Sequence, residues 1–168
     1  MPYREADELN TYLFHEGTAI SAYEYMGAHA VTHDGVSGYM FRVWAPRAQA
    51  VSVVGDFNSW NADAHPMAKI TDGIWERFVP GGRTYDAYKF AITGADGVLR
   101  LKADPYAFHA ETRPGTASKL YSIDGYHWAD NAWRESRHDH PVYTAPLNIY
   151  EVHLGSWKRR ENGDFIDY

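Results

Sequence analysis

Short runs of alternating apolar and polar residues, cut at intervals by Gly, Pro, Asp and Asn, govern what this chain can fold into. Residues 38–44 place Tyr39, Phe41 and Val43 on one face and Met40, Arg42 and Trp44 on the other, and Pro46 ends the run. Residues 50–54 are rich in Val and close at Gly55-Asp56, and residues 74–79 alternate again up to Pro80-Gly81-Gly82. Residues 85–92 put Tyr88, Phe90 and Ile92 on one side and Ala87, Lys89 and Ala91 on the other. Thr93-Gly94-Ala95-Asp96-Gly97 then turns the chain into a run at 98–102, and a last one at 118–123 follows Arg113-Pro114-Gly115. Side chains repeat every two residues along a strand, so the pattern predicts half-buried strands joined by tight turns. Such a succession predicts an all-β fold, an immunoglobulin-like β-sandwich. An up-and-down barrel is the alternative, but nothing in the spacing requires closure.

The segments on either side of these strands behave differently. Residues 5–16 fit one short helix with Leu9, Tyr12 and Leu13 as its apolar stripe and Gly17 as its stop. A helix of this length is unstable alone in water, so it is expected to pack on something later in the chain. Residues 124–146 lose the rhythm and carry Trp128, Trp133, Pro141 and Pro146. They read as a connector packed down by its two indoles, since a free linker rarely exposes large aromatics. Residues 148–154 again look like a strand, ending in Gly155-Ser156-Trp157. The expected organisation is a helical extension at 1–26, a sandwich at 27–123, a packed connector at 124–147, and a strand with its loop at 148–168. A lone final strand has no evident partner, so the sequence reads as cut from a larger one.

Composition removes several functional classes. The net charge of −6 comes without any basic block, which excludes the electrostatic footprint of a nucleic-acid binder. The chain has no cysteine, so it has neither disulfides nor thiolate metal sites. His127, His138 and His140 lack the acidic or thiolate partners of a metal site and read as solvated, so no metal is expected. The acidic start lacks the apolar core of a signal peptide and no run is long enough for a membrane span, which points to the cytoplasm. Aromatic residues make up 15% of the chain, a content that suits either a strand-rich fold or a surface that stacks on sugar rings.

Particular words in the sequence are more specific. Phe41-Arg42-Val43-Trp44-Ala45-Pro46, Gly55-Asp56-Phe57-Asn58-Ser59-Trp60, Tyr88-Lys89-Phe90, Lys102-Ala103-Asp104-Pro105-Tyr106-Ala107 and Arg113-Pro114-Gly115-Thr116-Ala117-Ser118 follow one another in order. With Ile149-Tyr150-Glu151-Val152-His153-Leu154-Gly155-Ser156-Trp157, they closely resemble the amino-terminal region of 1,4-α-glucan (glycogen) branching enzymes. The resemblance implies a family 48 carbohydrate-binding sandwich followed by the first strand of an α-amylase-type (β/α)8 barrel, here truncated. It also implies an enzyme that cuts an α-1,4 glucan and rejoins the released chain to a 6-hydroxyl, with no cofactor.

In that family the catalytic carboxylates sit on later barrel strands, so no catalytic residue is expected in this chain and Glu151 is read as structural. The resemblance carries sugar contacts to Trp60, as a stacking platform, and to Lys89, with Asn58 beside them. Packing against the barrel is the competing role. Related regulatory glycogen-binding modules carry a second Trp after the Asp-Gly turn, where this chain has Val98 and Leu99. His153, Gly155, Ser156 and Trp157 would lie at the substrate-facing end of the complete barrel. The expected partners are α-glucan chains and the missing barrel. The alternatives are a self-contained glycogen-binding or regulatory module, and the amino-terminal part of a debranching-type hydrolase.

Overall fold

The computed structural model describes residues 8–139, 143–144 and 146–166. Expectations that fell on residues 1–7, His140, Pro141 and Tyr168 lie outside them. The chain divides into two units, Met1–Gly125 and Tyr126–Tyr168.

Among the described residues, the first unit contains nine antiparallel strands in two sheets: β1 (Gly27–His33), β2 (Val36–Trp44), β3 (Ala50–Gly55), β4 (Ala68–Thr71), β5 (Ile74–Pro80), β6 (Ala87–Thr93), β7 (Leu99–Lys102), β8 (His109–Ala110) and β9 (Ser118–Lys119). One sheet runs β1-β2-β5-β4 and the other β3-β6-β9-β8, with β7 and β9 sharing one edge of β6. The alternation read from the sequence places the core. Phe41, Val43, Trp75 and Val79 of the first sheet meet Val51, Val53, Tyr88 and Phe90 of the second, and Met67 and Leu120 join them from adjoining loops. Phe41 and Tyr88, both fully buried, meet edge to face across the two layers at 5.2 Å. Each such side chain contributes about 1.5–3 kcal/mol by leaving water.

The strand expected at 118–123 pairs only over Ser118–Lys119, while β4 and β8 carry no alternation long enough to read. The other face of the first sheet, with Met40 and Arg42, is buried as well. It is closed by a small cluster of Tyr25, Met26 and Ile74, against which Phe14 and Tyr106 pack.

Helix α1 (Glu8–His15) forms near where the sequence places it, but it packs differently. Leu9 and Tyr12 of the expected stripe are 63% and 60% exposed. Phe14 is the packed residue, edge-on to Trp44 at 6.0 Å. Gly17 does end the helix. At φ +73 it lets its own N–H reach the Phe14 carbonyl and that of Thr18 reach Leu13, the paired closure of a Schellman motif.

In the second unit, Trp128 and Trp133 are 75% and 64% exposed. Their ring contacts are local, from Tyr126 and Arg137 respectively. The strand expected at 148–154 does not form: residues 146–153 enter no ladder among the described residues, and Leu154–Trp157 is a helical turn. A strand satisfies its backbone only through neighbours, and Ile149 and Tyr150 are 83% and 74% exposed. Among the described residues no helix is long and apolar enough to cross a membrane.

Candidate functional site

β3 leaves the second sheet at Gly55 and enters a single tight turn, Asp56–Asn58. Asn58 locks this turn from inside: its Oδ1 accepts the Gly55 N–H at 2.9 Å, and its Nδ2 donates to the Val53 carbonyl and to His65 Nδ1, each at 2.9 Å. Burial, and then the charge of Arg77, lower the pKa of His65, so the neutral ring has a nitrogen able to accept that bond. The amide of Asn58 is thus committed to the protein, apart from the remaining lone pair on its oxygen.

Ser59 and Trp60 follow in the left-handed region at φ +53 and +61. Large side chains rarely adopt this conformation, and such outliers persist only where their surroundings enforce them. The enforcing group is Asp56. Its Oδ1 accepts the Trp60 indole N–H at 3.0 Å while its Oδ2 accepts the Ala87 backbone N–H of β6 at 2.8 Å. The indole is therefore anchored by its edge to the sheet, yet remains 39% exposed. With the N–H occupied, what Trp60 offers a ligand is its ring surface.

Lys89 stands two residues along β6 from Ala87, with Val54 as its register partner. By alternation it lies on the face of the second sheet away from the core, together with Ala87 and Ala91. Its Nζ donates to Thr116 Oγ1 at 2.6 Å. Trp60, Asn58 and Lys89 thus share one end of the second sheet, connected through Asp56 and β6.

His153, Gly155, Ser156 and Trp157 lie in the second unit, where they make a separate turn. His153 Nδ1 and Ser156 Oγ are 2.7 Å apart, and Trp157 sits edge-on to Tyr150 at 6.0 Å. Among the described residues no group of three His, Cys, Asp or Glu side chains could hold a metal. Sequence reasoning missed Asp56 and Thr116, although both stand in the words that carried the resemblance. The spacing of Asp56 four residues before Trp60 is the signal that could have exposed the indole anchor.

An exposed, edge-anchored aromatic at the same end of the sheet as a lysine suits a flat polyhydroxylated ligand. The family model of carbohydrate-binding module 48, the isoamylase N-terminal domain, matches residues 25–107. Similarity extends well beyond the module. The 1,4-alpha-glucan branching enzyme GlgB of Halothermothrix orenii is 48% identical over 96% of this chain and 26% of its own length. The enzyme of the same name from Geobacillus stearothermophilus is 46% identical over 96% and 25%. The chain therefore spans about a quarter of the length of these curated relatives. Among solved structures, ligand-free PulA from Klebsiella pneumoniae matches 64% of this chain and 10% of its own at 27% identity, with a TM-score of 0.49, too loose a likeness to choose between activities.

Proposed function

We propose that this chain is the amino-terminal part of a cytoplasmic 1,4-α-glucan branching enzyme, and that its sandwich holds an α-glucan chain at Trp60 and Lys89. The observation that carries the reading is the 46–48% identity over nearly the whole chain to proteins of that name. Retention of configuration at the anomeric carbon requires a carboxylate nucleophile and a second carboxyl group that first protonates the departing oxygen and then deprotonates the incoming hydroxyl. The resemblance puts those groups on later barrel strands, so this chain contributes binding and placement. The Trp60 ring covers one face of a glucose unit, Lys89 donates to its hydroxyls, and Asn58 fixes the turn from which Trp60 projects. His153, Ser156 and Trp157 face substrate only once the barrel is complete.

Retention in glycogen-containing affinity gels tests the binding half. Trp60→Ala removes one stacking contact of about 1 kcal/mol and weakens retention roughly five-fold, while the variant stays folded at the assay temperature with a melting temperature lowered by loss of the indole bond to Asp56. Unaltered retention would assign Trp60 to packing instead. The 168-residue polypeptide by itself is expected to leave the iodine staining of amylose unchanged; a fall in staining with pure protein refutes the assignment of chemistry to the barrel.

A further inference from the structure

The sheet face that carries Lys89 also carries three mutually touching rings that the reading above leaves unused. Tyr85 precedes β6, His109 lies on β8 and Tyr121 follows β9. Their centroids are 5.4 Å apart for Tyr85 and His109, 5.5 Å for Tyr85 and Tyr121, and 5.3 Å for His109 and Tyr121. The register explains the meeting, since Ala87 pairs with Lys119 and Lys119 with His109. Cross-strand partners share a face, so Lys89, Ala87, Lys119 and His109 all lie on the side away from the core.

Two features set this cluster apart from casual surface aromatics. Tyr85 is held at φ +75, where a bulky residue is strained, and is nevertheless 53% exposed. Its backbone N–H is tied to the Leu120 carbonyl at 2.8 Å, which fixes the ring beside Tyr121. Polar groups also border the rings. Lys119 Nζ lies 5.9 Å from the Tyr85 ring centre, and His109 Nδ1 is engaged with the Ala110 carbonyl at 2.9 Å, which leaves Nε2 for a ligand.

We infer that Tyr85, His109 and Tyr121 form a second stacking platform for an α-glucan, so that one chain running across the outer face from Lys89 engages both platforms. This rests on the glucan-binding reading of the sandwich. It is favoured over a protein partner by continuity with Lys89 on one face and by the mixture of ring surfaces with hydrogen-bonding groups. A ligand spanning two platforms must be long, so the site selects for chain length.

The test titrates the 168-residue chain with maltotriose and maltoheptaose. Wild type is expected to bind maltoheptaose at least ten-fold more tightly. Tyr121→Ala, and Tyr85→Gly, which removes the ring at a backbone angle glycine adopts freely, should each lower maltoheptaose affinity about ten-fold and leave maltotriose within two-fold. Tyr121→Phe keeps the ring and should restore the preference, which separates stacking from loss of fold. If wild type and Tyr121→Ala bind maltoheptaose equally while Trp60→Ala weakens it, the second platform is overturned and the first stands. If wild type binds neither sugar nor glycogen, both readings fall.

Discussion

Arg42→Leu is expected to lower the unfolding free energy of the sandwich by about 3 kcal/mol, the low end of the loss for breaking a buried ion pair. The Arg42 side chain is only 1% exposed, and its Nε is paired with Glu76, which retains 23% exposure and hence some hydration. A guanidinium nitrogen also donates to the Tyr25 carbonyl at 3.1 Å, and the group lies 4.7 Å from the Tyr25 ring centre. Leucine fills part of the volume but leaves a carboxylate and a carbonyl without their donor. The loss is read as a lower denaturant midpoint at unchanged slope. Because Arg42 joins β2 to the segment that carries α1, early proteolysis ahead of Gly27 should accompany it. The double variant Arg42→Leu/Glu76→Leu recovers much of the stability, since the stranded charge is gone. A loss below about 1 kcal/mol in the single variant would show the pair to be solvated.

What the sequence disclosed follows from how far each feature depends on neighbours in the chain. The strands around Phe41, Trp75 and Phe90 alternate over several residues and face a core, so periodicity alone exposes them. β4 is largely exposed at the edge of its sheet, and β8 is two residues long, so neither has a pattern to display. The helix stripe misled because three apolar residues suggested one face while a single ring, Phe14, does the docking. At the candidate site, the sequence word singled out Trp60. Its anchor was not legible, because Asp56 acts through a bond to β6 that only the folded chain creates. The three-ring cluster lay further out of reach. Tyr85, His109 and Tyr121 come from separate segments, and the register of three strands alone brings them together.

The second large effect concerns Asp104, which lies under the same sheet. Its Oδ2 accepts the Tyr88 hydroxyl at 2.6 Å, its Oδ1 accepts the Tyr106 N–H at 2.8 Å, and its own N–H donates to Ser118 Oγ at 2.8 Å. Burial raises the carboxyl pKa to about 6, although the bonds from Tyr88 and Tyr106 act the other way. Between pH 4 and pH 6 the folded protein therefore holds a proton that the unfolded chain has released, so this group's contribution falls as pH rises through that window and is constant above it. Raising a carboxyl pKa from its ordinary value to about 6 corresponds to about 3 kcal/mol. His29 works in the opposite sense: burial lowers its pKa, so its contribution falls as pH drops below 6.5. Asp104→Asn isolates the carboxyl, because the amide stays neutral and keeps an acceptor for Tyr106. The variant should match wild type near pH 4, gain on it by about 3 kcal/mol up to pH 6, and hold that margin at pH 7. A margin that stays flat from pH 4 to 7 would mean that the carboxyl titrates as it does in water. The charge retained at neutral pH is thus a standing cost to stability at a residue whose carboxylate holds Tyr88 of β6 and whose backbone N–H holds Ser118 of β9, the neighbours of Lys89 and Lys119.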